Sequence, residues 1–234
     1  MPFTVVKQSY LGRFVLTYLL YVAFGVLSIT LTSPIDHVAP FYLAAGVALA
    51  AVLTWGAAMW PAVALGGASV VAAGHALHNG GGLSAQAMGL IAVCALGSAA
   101  QAWVGAVLAR RWVPGALTLE EPRDIALFFL LAGPLACLIS SGVAVGYGAA
   151  VGLSLGVSTG GAFLTWWCGD TMGVLVATPV MLAFVGEPAL VWRGRRVTVA
   201  LPRCTRKAVR VATTGAAGAA VPTRRWTLRI SHAT

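Results

Sequence analysis

The sequence predicts an all-α integral membrane protein, a polytopic bundle of about six transmembrane helices with both termini in the cytoplasm. Three observations predict it: the composition, a series of long uncharged segments, and a one-sided distribution of Lys and Arg. Of the 234 residues, 59% are hydrophobic and only 9% are charged, whereas a soluble domain carries about 25% charged residues. So few charges cannot cover a water-exposed surface, which argues against a soluble globular protein.

Six apolar segments have the length that a membrane-crossing helix needs, about 20 residues. They cover residues 14–31, 38–55, 57–74, 83–108, 125–150 and 161–185. The first follows Lys7 and Arg13 and could be read as a signal peptide. Its apolar run is longer than the apolar core of a signal peptide, which has about 7–15 residues. We therefore predict that it is an uncleaved helix.

The orientation follows from the positions of Lys and Arg between these segments. When the loops between these segments are assigned alternately to the two sides of the membrane, all eight basic side chains of residues 1–202 fall on the same side. Cytoplasmic loops carry the excess of Lys and Arg in membrane proteins, so six helices with cytoplasmic ends give the simplest consistent topology. The eight residues are Lys7, Arg13, Arg110, Arg111, Arg123, Arg193, Arg195 and Arg196.

The C-terminal segment differs from the rest of the chain. Residues 203–234 contain seven of the 15 basic residues and none of the six acidic ones, so they contribute +7 of the net charge of +9. One interpretation is a disordered basic tail that touches anionic lipid. The composition favours another, a frameshift or truncation product. We predict a transmembrane domain over residues 1–202 and this basic tail over 203–234, with no nucleic acid partner.

Small residues at regular spacing predict close helix packing. Glycines four residues apart let two helix backbones approach each other where lipid offers no hydrophobic driving force. Pro134 and Pro179 lie inside predicted helices and are expected to kink them. The residues predicted to pack helices together are Gly46, Gly142, Gly146, Gly173 and Pro179.

Asp170 is the one charged residue that clearly lies inside a predicted span. Ionisable groups are costly to bury in a membrane and frequently serve a function there. Asp170 is therefore expected to contact a ligand, to act as a proton-linked switch or to lock two helices together. The alternative is a purely structural acid that is hydrogen-bonded to a neighbouring helix. Gln101 is a candidate partner at similar depth, and Trp166, Trp167 and Gly169 complete the predicted sensing or packing core.

No catalytic or metal-binding motif is present. The sequence contains no P-loop, no GxSxG, no HExxH and no nucleotide fingerprint. Ser140 and Ser141 are expected to be ordinary helix-packing residues. The spacing of His37, His75 and His78 matches no standard zinc motif. The prediction is therefore a non-enzymatic chain without a metal or cofactor.

Four blocks of sequence stand out: FYLAAGVALA at residues 41–50, WPAVALGG at 60–67, AVLARR at 106–111 and TWWCGDTMGVL at 165–175, the last followed by Thr178-Pro179. Together they resemble the MASE1 domain, an integral membrane sensory domain of bacteria. The resemblance covers residues 14–200. It implies a sensory input module in the bacterial inner membrane, of the kind that precedes a histidine kinase, diguanylate cyclase or phosphodiesterase domain.

The chain departs from that family pattern in its length. The resemblance implies about eight spans and a signalling module, whereas the segments here number about six and no output motif follows. This chain is therefore expected to be an isolated or truncated sensor without catalytic output. Alternative functions are a small transporter or channel, and a membrane subunit that binds a partner. The lipid bilayer is the expected surrounding, with a membrane protein partner or self-association as a further expectation and no ligand identified.

Overall fold

The computed structural model describes residues 9–30, 41–79, 82, 84–113, 121–153 and 158–185, which are almost entirely helical. Within these residues the α-helices are α1 Tyr10–Thr30, α2 Leu43–Trp55, α3 Trp60–Asn79, α4 Ala85–Trp112, α5 Pro122–Leu130, α6 Ala136–Ala150 and α7 Thr159–Val185. A 3₁₀ turn, Ala57–Met59, joins α2 to α3, and a π-helical turn, Leu131–Leu135, makes α5 and α6 one continuous span.

The helices have the lengths that a polytopic membrane protein needs. In the described part of the chain, five stretches are long and apolar enough to cross a bilayer, and α2 is a shorter apolar helix of 13 residues. The predicted all-α bundle of about six helices is confirmed. The cytoplasmic location of both termini stays a prediction. The predicted boundary at residue 202 and the basic tail lie outside the described residues.

The outer surface of the bundle is apolar. Large hydrophobic side chains on five different helices are more than half exposed, among them Leu11, Leu65, Leu96, Leu130 and Phe184. Contiguous exposed apolar surface is uncommon on soluble monomers. Hydrocarbon tails, by contrast, solvate such side chains without penalty. This surface is therefore the one expected to face lipid.

The short helix α2 lies at the centre of the bundle. All of its residues from 44 to 53 are buried, and its apolar residues show no preference for one face. A helix that is hydrophobic all round has to be enclosed by other elements. Here α7, α1 and α4 enclose it, and its most extensive contact is with α7.

The N-terminal end of α2 is held by groups from two other helices. The Leu43 N–H donates to Ser28 Oγ of α1 at 3.2 Å, and the Tyr42 N–H donates to the Gly169 carbonyl of α7 at 3.0 Å. The first N–H groups of a helix have no partner within the helix, so these bonds satisfy them. The sequence predicts a segment that starts at residue 38. The structure begins the helix at Leu43, because Tyr42 is not helical and bonds to α7 instead.

The C-terminal end of α2 is held by a cation from α4. Arg110 Nη2 donates to the carbonyl oxygens of Val52 at 2.9 Å and Leu53 at 2.8 Å. A cation is favourable here because the carbonyl end of a helix carries partial negative charge. Arg110 is one of the residues that predict the cytoplasmic side, so the same side chain supports both the orientation and the packing.

Two glycines bring the backbones of α2 and α7 into direct contact. A Cβ atom at Gly46 would overlap the Gly173 carbonyl oxygen, and a Cβ atom at Gly173 would overlap the Tyr42 carbonyl oxygen. Thr178 Oγ1 donates to the Gly46 carbonyl at 3.1 Å and ties the same crossing. Any larger residue at either glycine would force the two helices apart.

The other residues predicted to pack helices behave differently. Gly142 and Gly146 lie on an exposed face of α6, and a Cβ atom at either would meet no atom within 4 Å. These two glycines therefore do not pack against another helix in the described part of the chain, which corrects that expectation for a single copy.

Pro134 lies in the π-helical turn, where a proline commonly disturbs a helix. The helix α7 continues through Pro179.

We predict that Gly173→Ala destabilises the protein, because the new methyl group meets the Tyr42 carbonyl. Overpacking of this kind costs about 1–3 kcal/mol, which lowers the midpoint of thermal unfolding in detergent. Gly142→Ala is the matched control, since the same change there meets open space and only improves helix propensity. Equal unfolding midpoints for the two variants would contradict the close crossing.

Candidate functional site

Asp170 is buried near the middle of α7. Its side chain is only 3% exposed, and α7 extends from Thr159 to Val185, so more than ten residues lie on either side. At about 1.5 Å per residue, this places the carboxyl group about 17 Å from the start of the helix. The acid therefore lies deep inside the span, where it has to find its partners within the protein.

Hydroxyl and amide groups from two other helices reach this acid. Ser140 Oγ of α6 donates to Asp170 Oδ2, and the Gln101 side chain of α4 lies against the same carboxyl group. The Gln101 amide nitrogen also donates to Cys137 Sγ of α6 at 3.2 Å, and Thr171 lies beside that thiol. These five residues are called the Asp170 cluster below, and they join α4, α6 and α7.

Three oxygen atoms of the cluster remain without a hydrogen-bond partner among the described residues. They are Asp170 Oδ1, Gln101 Oε1 and Thr171 Oγ1. Each residue is at least nine-tenths buried, with exposed fractions of 3%, 5% and 6%. Buried polar atoms are almost always paired, and an unpaired one costs about 1–3 kcal/mol. Asp170 Oδ1 and Gln101 Oε1 are acceptors, whereas the Thr171 hydroxyl can donate or accept, so the cluster retains unused hydrogen-bonding capacity.

A tyrosine pair lies in the same interior. Tyr21 of α1 is fully buried, and the Tyr42 hydroxyl donates to the Tyr21 hydroxyl at 3.4 Å with the two rings nearly perpendicular. Tyr21 also lies beside Ser98 of α4. Buried tyrosine hydroxyls need polar partners, and these two find them in each other and in α4. The polar interior thus extends from α7 to α1.

The predicted tryptophans lie next to this interior. Trp167 Nε1 donates to the Pro134 carbonyl in the π-helical turn at 2.8 Å. Trp166 is partly buried, and Gly169 is buried with its carbonyl bonded to the Tyr42 N–H. The structure therefore brings Trp167 and Gly169 into bonds that hold α7 against its neighbours. A role in sensing stays a prediction for all of these residues.

Asp170 contacts the predicted partner Gln101 and also a second residue, Ser140. Depth along the helices pairs the acid with Gln101, and Ser140 is expected to be an ordinary packing residue, whereas the structure bonds Ser140 to the acid. Tyr21 and Tyr42 are not predicted as members of the site at all. A tyrosine hydroxyl inside an apolar segment indicates a buried polar contact, because a buried hydroxyl requires a hydrogen-bond partner. This pattern could have identified both residues from the sequence.

We predict that Ser140→Ala destabilises the protein by about 1–3 kcal/mol, because it leaves the buried Asp170 carboxyl without its hydroxyl donor. Thr165→Val is the control, since that hydroxyl bonds only to the Gly161 carbonyl of its own helix. Thermal unfolding in detergent measures both variants. A Ser140→Ala protein as stable as the control would show that the bond to Asp170 contributes nothing.

The family model of MASE1 matches residues 11–227. No curated protein and no solved structure matches the chain. Apart from Tyr10, the matched range includes all seven α-helices of the described residues, and it extends past residue 202 into the segment predicted as a basic tail. The proposed boundary there remains a prediction.

A match over nearly the whole chain confirms the predicted resemblance. MASE1 is a membrane-associated sensory domain of signalling proteins, and several apolar helices of membrane-spanning length agree with that description. The chain belongs to the MASE1 family.

Proposed function

We propose that this chain is the sensory input domain of a bacterial signalling protein in the inner membrane. The output type is a histidine kinase or an enzyme of cyclic-di-GMP turnover, and the chain itself contributes no catalytic activity. The observation that carries the proposal is the Asp170 cluster, a buried acid with unpaired neighbours inside a family of membrane sensors. Such a group is costly in a membrane unless it serves a function.

The signal would pass through α7. Ser140 ties this helix to α6, and the bonds from Tyr42 to Gly169 and from Thr178 to Gly46 tie it to α2. A stimulus that changes the bonds of Asp170 therefore acts on the contacts of α7 with α6 and α4, while the bonds to α2 still hold the helix. Packed helix interfaces switch between discrete arrangements rather than deforming continuously, so a small local change can move the C-terminal end of α7.

A second candidate is a subunit that binds a membrane protein partner or a second copy of itself. The exposed face of α6 at Gly142 and Gly146 favours it, because small residues there would admit another helix closely. This candidate is compatible with a sensor, since a partner can deliver the stimulus. A stoichiometric membrane protein that co-purifies with the chain would favour it.

The sensor proposal predicts a change in output when Asp170 is replaced. The complete chain is joined to an intact diguanylate cyclase, and cyclic-di-GMP synthesis is measured in membranes. Asp170→Asn keeps the shape of the side chain and removes its ability to ionise. We expect at least about a fivefold change in synthesis, the lower end of typical coupling between sites.

Asp124→Asn is the matched control, because it makes the same chemical change at the start of α5, away from the cluster. It should leave synthesis unchanged at equal membrane levels of the two fusions. Normal folding together with unchanged synthesis in Asp170→Asn would remove Asp170 from the mechanism.

A further inference from the structure

We propose that the π-helical turn Leu131–Leu135 is a hinge between α5 and α6, and that the Trp167 indole is the latch that holds this hinge closed. That the span bends at this turn rests on the contacts alone. That the bend carries a signal rests on the proposed sensory function. The moving part is α5, the arm of the span that begins at Pro122.

The backbone of the turn lacks part of the regular α-helical bonding. Pro134 lies inside the turn and has no N–H, so it cannot donate to the preceding turn, and its ring crowds a carbonyl there. Where the turn ends, the Ala136 N–H bonds to the Gly133 carbonyl, three residues back rather than four. Helices kink at prolines and at π-helical turns, and π-helical turns are frequent at functional sites. The turn is therefore the place where this span bends most readily.

The Trp167 indole of α7 supplies a bond at this place. Its Nε1 donates to the Pro134 carbonyl at 2.8 Å. Hydrocarbon offers no hydrogen-bond partner, so backbone groups around a proline in a membrane helix depend on neighbouring helices. The bond therefore holds the turn against α7 at its most irregular residue.

Two further side chains of α7 pack against the turn. A Cβ atom at Gly133 would lie 3.1 Å from Leu175 Cδ2 and 3.7 Å from Thr171 Cγ2. Trp167, Thr171 and Leu175 are four residues apart, so they form one stripe on α7. Thr171 follows Asp170 in sequence and belongs to the Asp170 cluster. A shift of α7 at the cluster therefore acts directly on the hinge.

The two arms of the hinge are held unequally. The helix α6 packs extensively on α4 and α7, and it is bonded to Gln101 through Cys137 and to Asp170 through Ser140. Among the α-helices of the described residues, α5 shares an appreciable contact only with α4, and that contact is small. The helix α6 is therefore the fixed arm, and α5 is the arm that can move.

Phe128 closes the moving arm onto the core. Its side chain is fully buried among core residues. In water, exposure of this ring would oppose opening of the hinge. In a membrane the ring moves into hydrocarbon, which is as apolar as the helix surfaces. The bond from Trp167 is therefore expected to contribute more to closure than the burial of Phe128.

Distances between spin labels test the hinge in the complete chain in lipid nanodiscs. Ala126→Cys on α5 and Val180→Cys on α7 place two labels at exposed positions. Cys168→Ser and Cys204→Ser prevent labelling at those two thiols. Pulsed electron paramagnetic resonance then gives the distribution of α5–α7 distances.

Trp167→Phe removes the indole N–H and keeps an aromatic ring. One hydrogen bond corresponds to about a two- to tenfold change in an equilibrium. We therefore expect a second population of α5–α7 distances to grow by that factor over the wild type. Trp166→Phe is the matched control and should leave the distances unchanged, because the Pro134 carbonyl accepts from Trp167 instead.

A second pair of labels measures the fixed arm. Val143→Cys on α6 and Leu164→Cys on α7 are also exposed positions. The distance between them should be the same in the wild type and in Trp167→Phe. A change in both pairs would mean that the whole bundle loosens, which would contradict a hinge.

Pro134→Ala tests the turn itself. It restores a backbone donor and favours a regular α-helix. Added to Trp167→Phe, it should remove the second population of α5–α7 distances. If Trp167→Phe does not fold, Pro134→Ala alone replaces it, because a regular helix should narrow the wild-type distribution.

Two further results would overturn the proposal. An α5–α7 distribution in Trp167→Phe that equals the wild type would mean that the indole is not a latch. A distribution that Pro134→Ala leaves as broad as before would mean that the span does not bend at this turn.

The cyclase fusion separates this inference from the proposed function. If Trp167→Phe changes the α5–α7 distances but not cyclic-di-GMP synthesis, the hinge stands and its role in signalling is rejected. If synthesis responds to Asp170→Asn while Trp167→Phe leaves the distances unchanged, the sensor stands and the hinge is rejected.

Discussion

The crossing of α2 and α7 is the most extensive helix contact of the described bundle, and it holds the central helix in place. At Gly46 and Gly173 the two backbones touch, with no room for a side chain between them. Because lipid tails are as apolar as the helix surfaces, helices in a membrane associate through close packing and hydrogen bonds. The two glycines allow both, since their close approach brings the Thr178 hydroxyl onto the Gly46 carbonyl. With α7 fixed in this way, α1 and α4 enclose the remaining faces of α2.

The same crossing fixes the surroundings of Asp170. The Gly169 carbonyl, one residue before the acid, accepts the Tyr42 N–H, so the rotation of α7 about its own axis is set by α2. That rotation turns Asp170 towards Ser140 of α6 and Gln101 of α4. The polar interior is therefore a consequence of the apolar crossing. A change in the bonds of Asp170 acts on a helix that is held tightly at one point and can pivot about it.

Much of this arrangement is predictable from the sequence, and the rest depends on three-dimensional contacts. The spans are predictable because long uncharged apolar segments are rare outside membrane-crossing helices. Asp170 is predictable because it is isolated in such a segment, and Gln101 because it lies at similar depth. Ser140 could not be identified, since a serine inside a helix commonly bonds to its own backbone. The spacing of Gly142 and Gly146 suits packing, but spacing does not reveal which face of α6 is exposed.

We expect α2, although only 13 residues long, to be the most firmly held helix of the described bundle. Hydrogen exchange of the complete chain in detergent, followed by mass spectrometry, tests it most directly. We expect backbone amides of residues 44–53 to exchange more slowly than those of α1, which is mostly exposed to the surroundings of the bundle. Exchange in α2 as fast as in α1 would contradict the claim that the bundle is built around this helix.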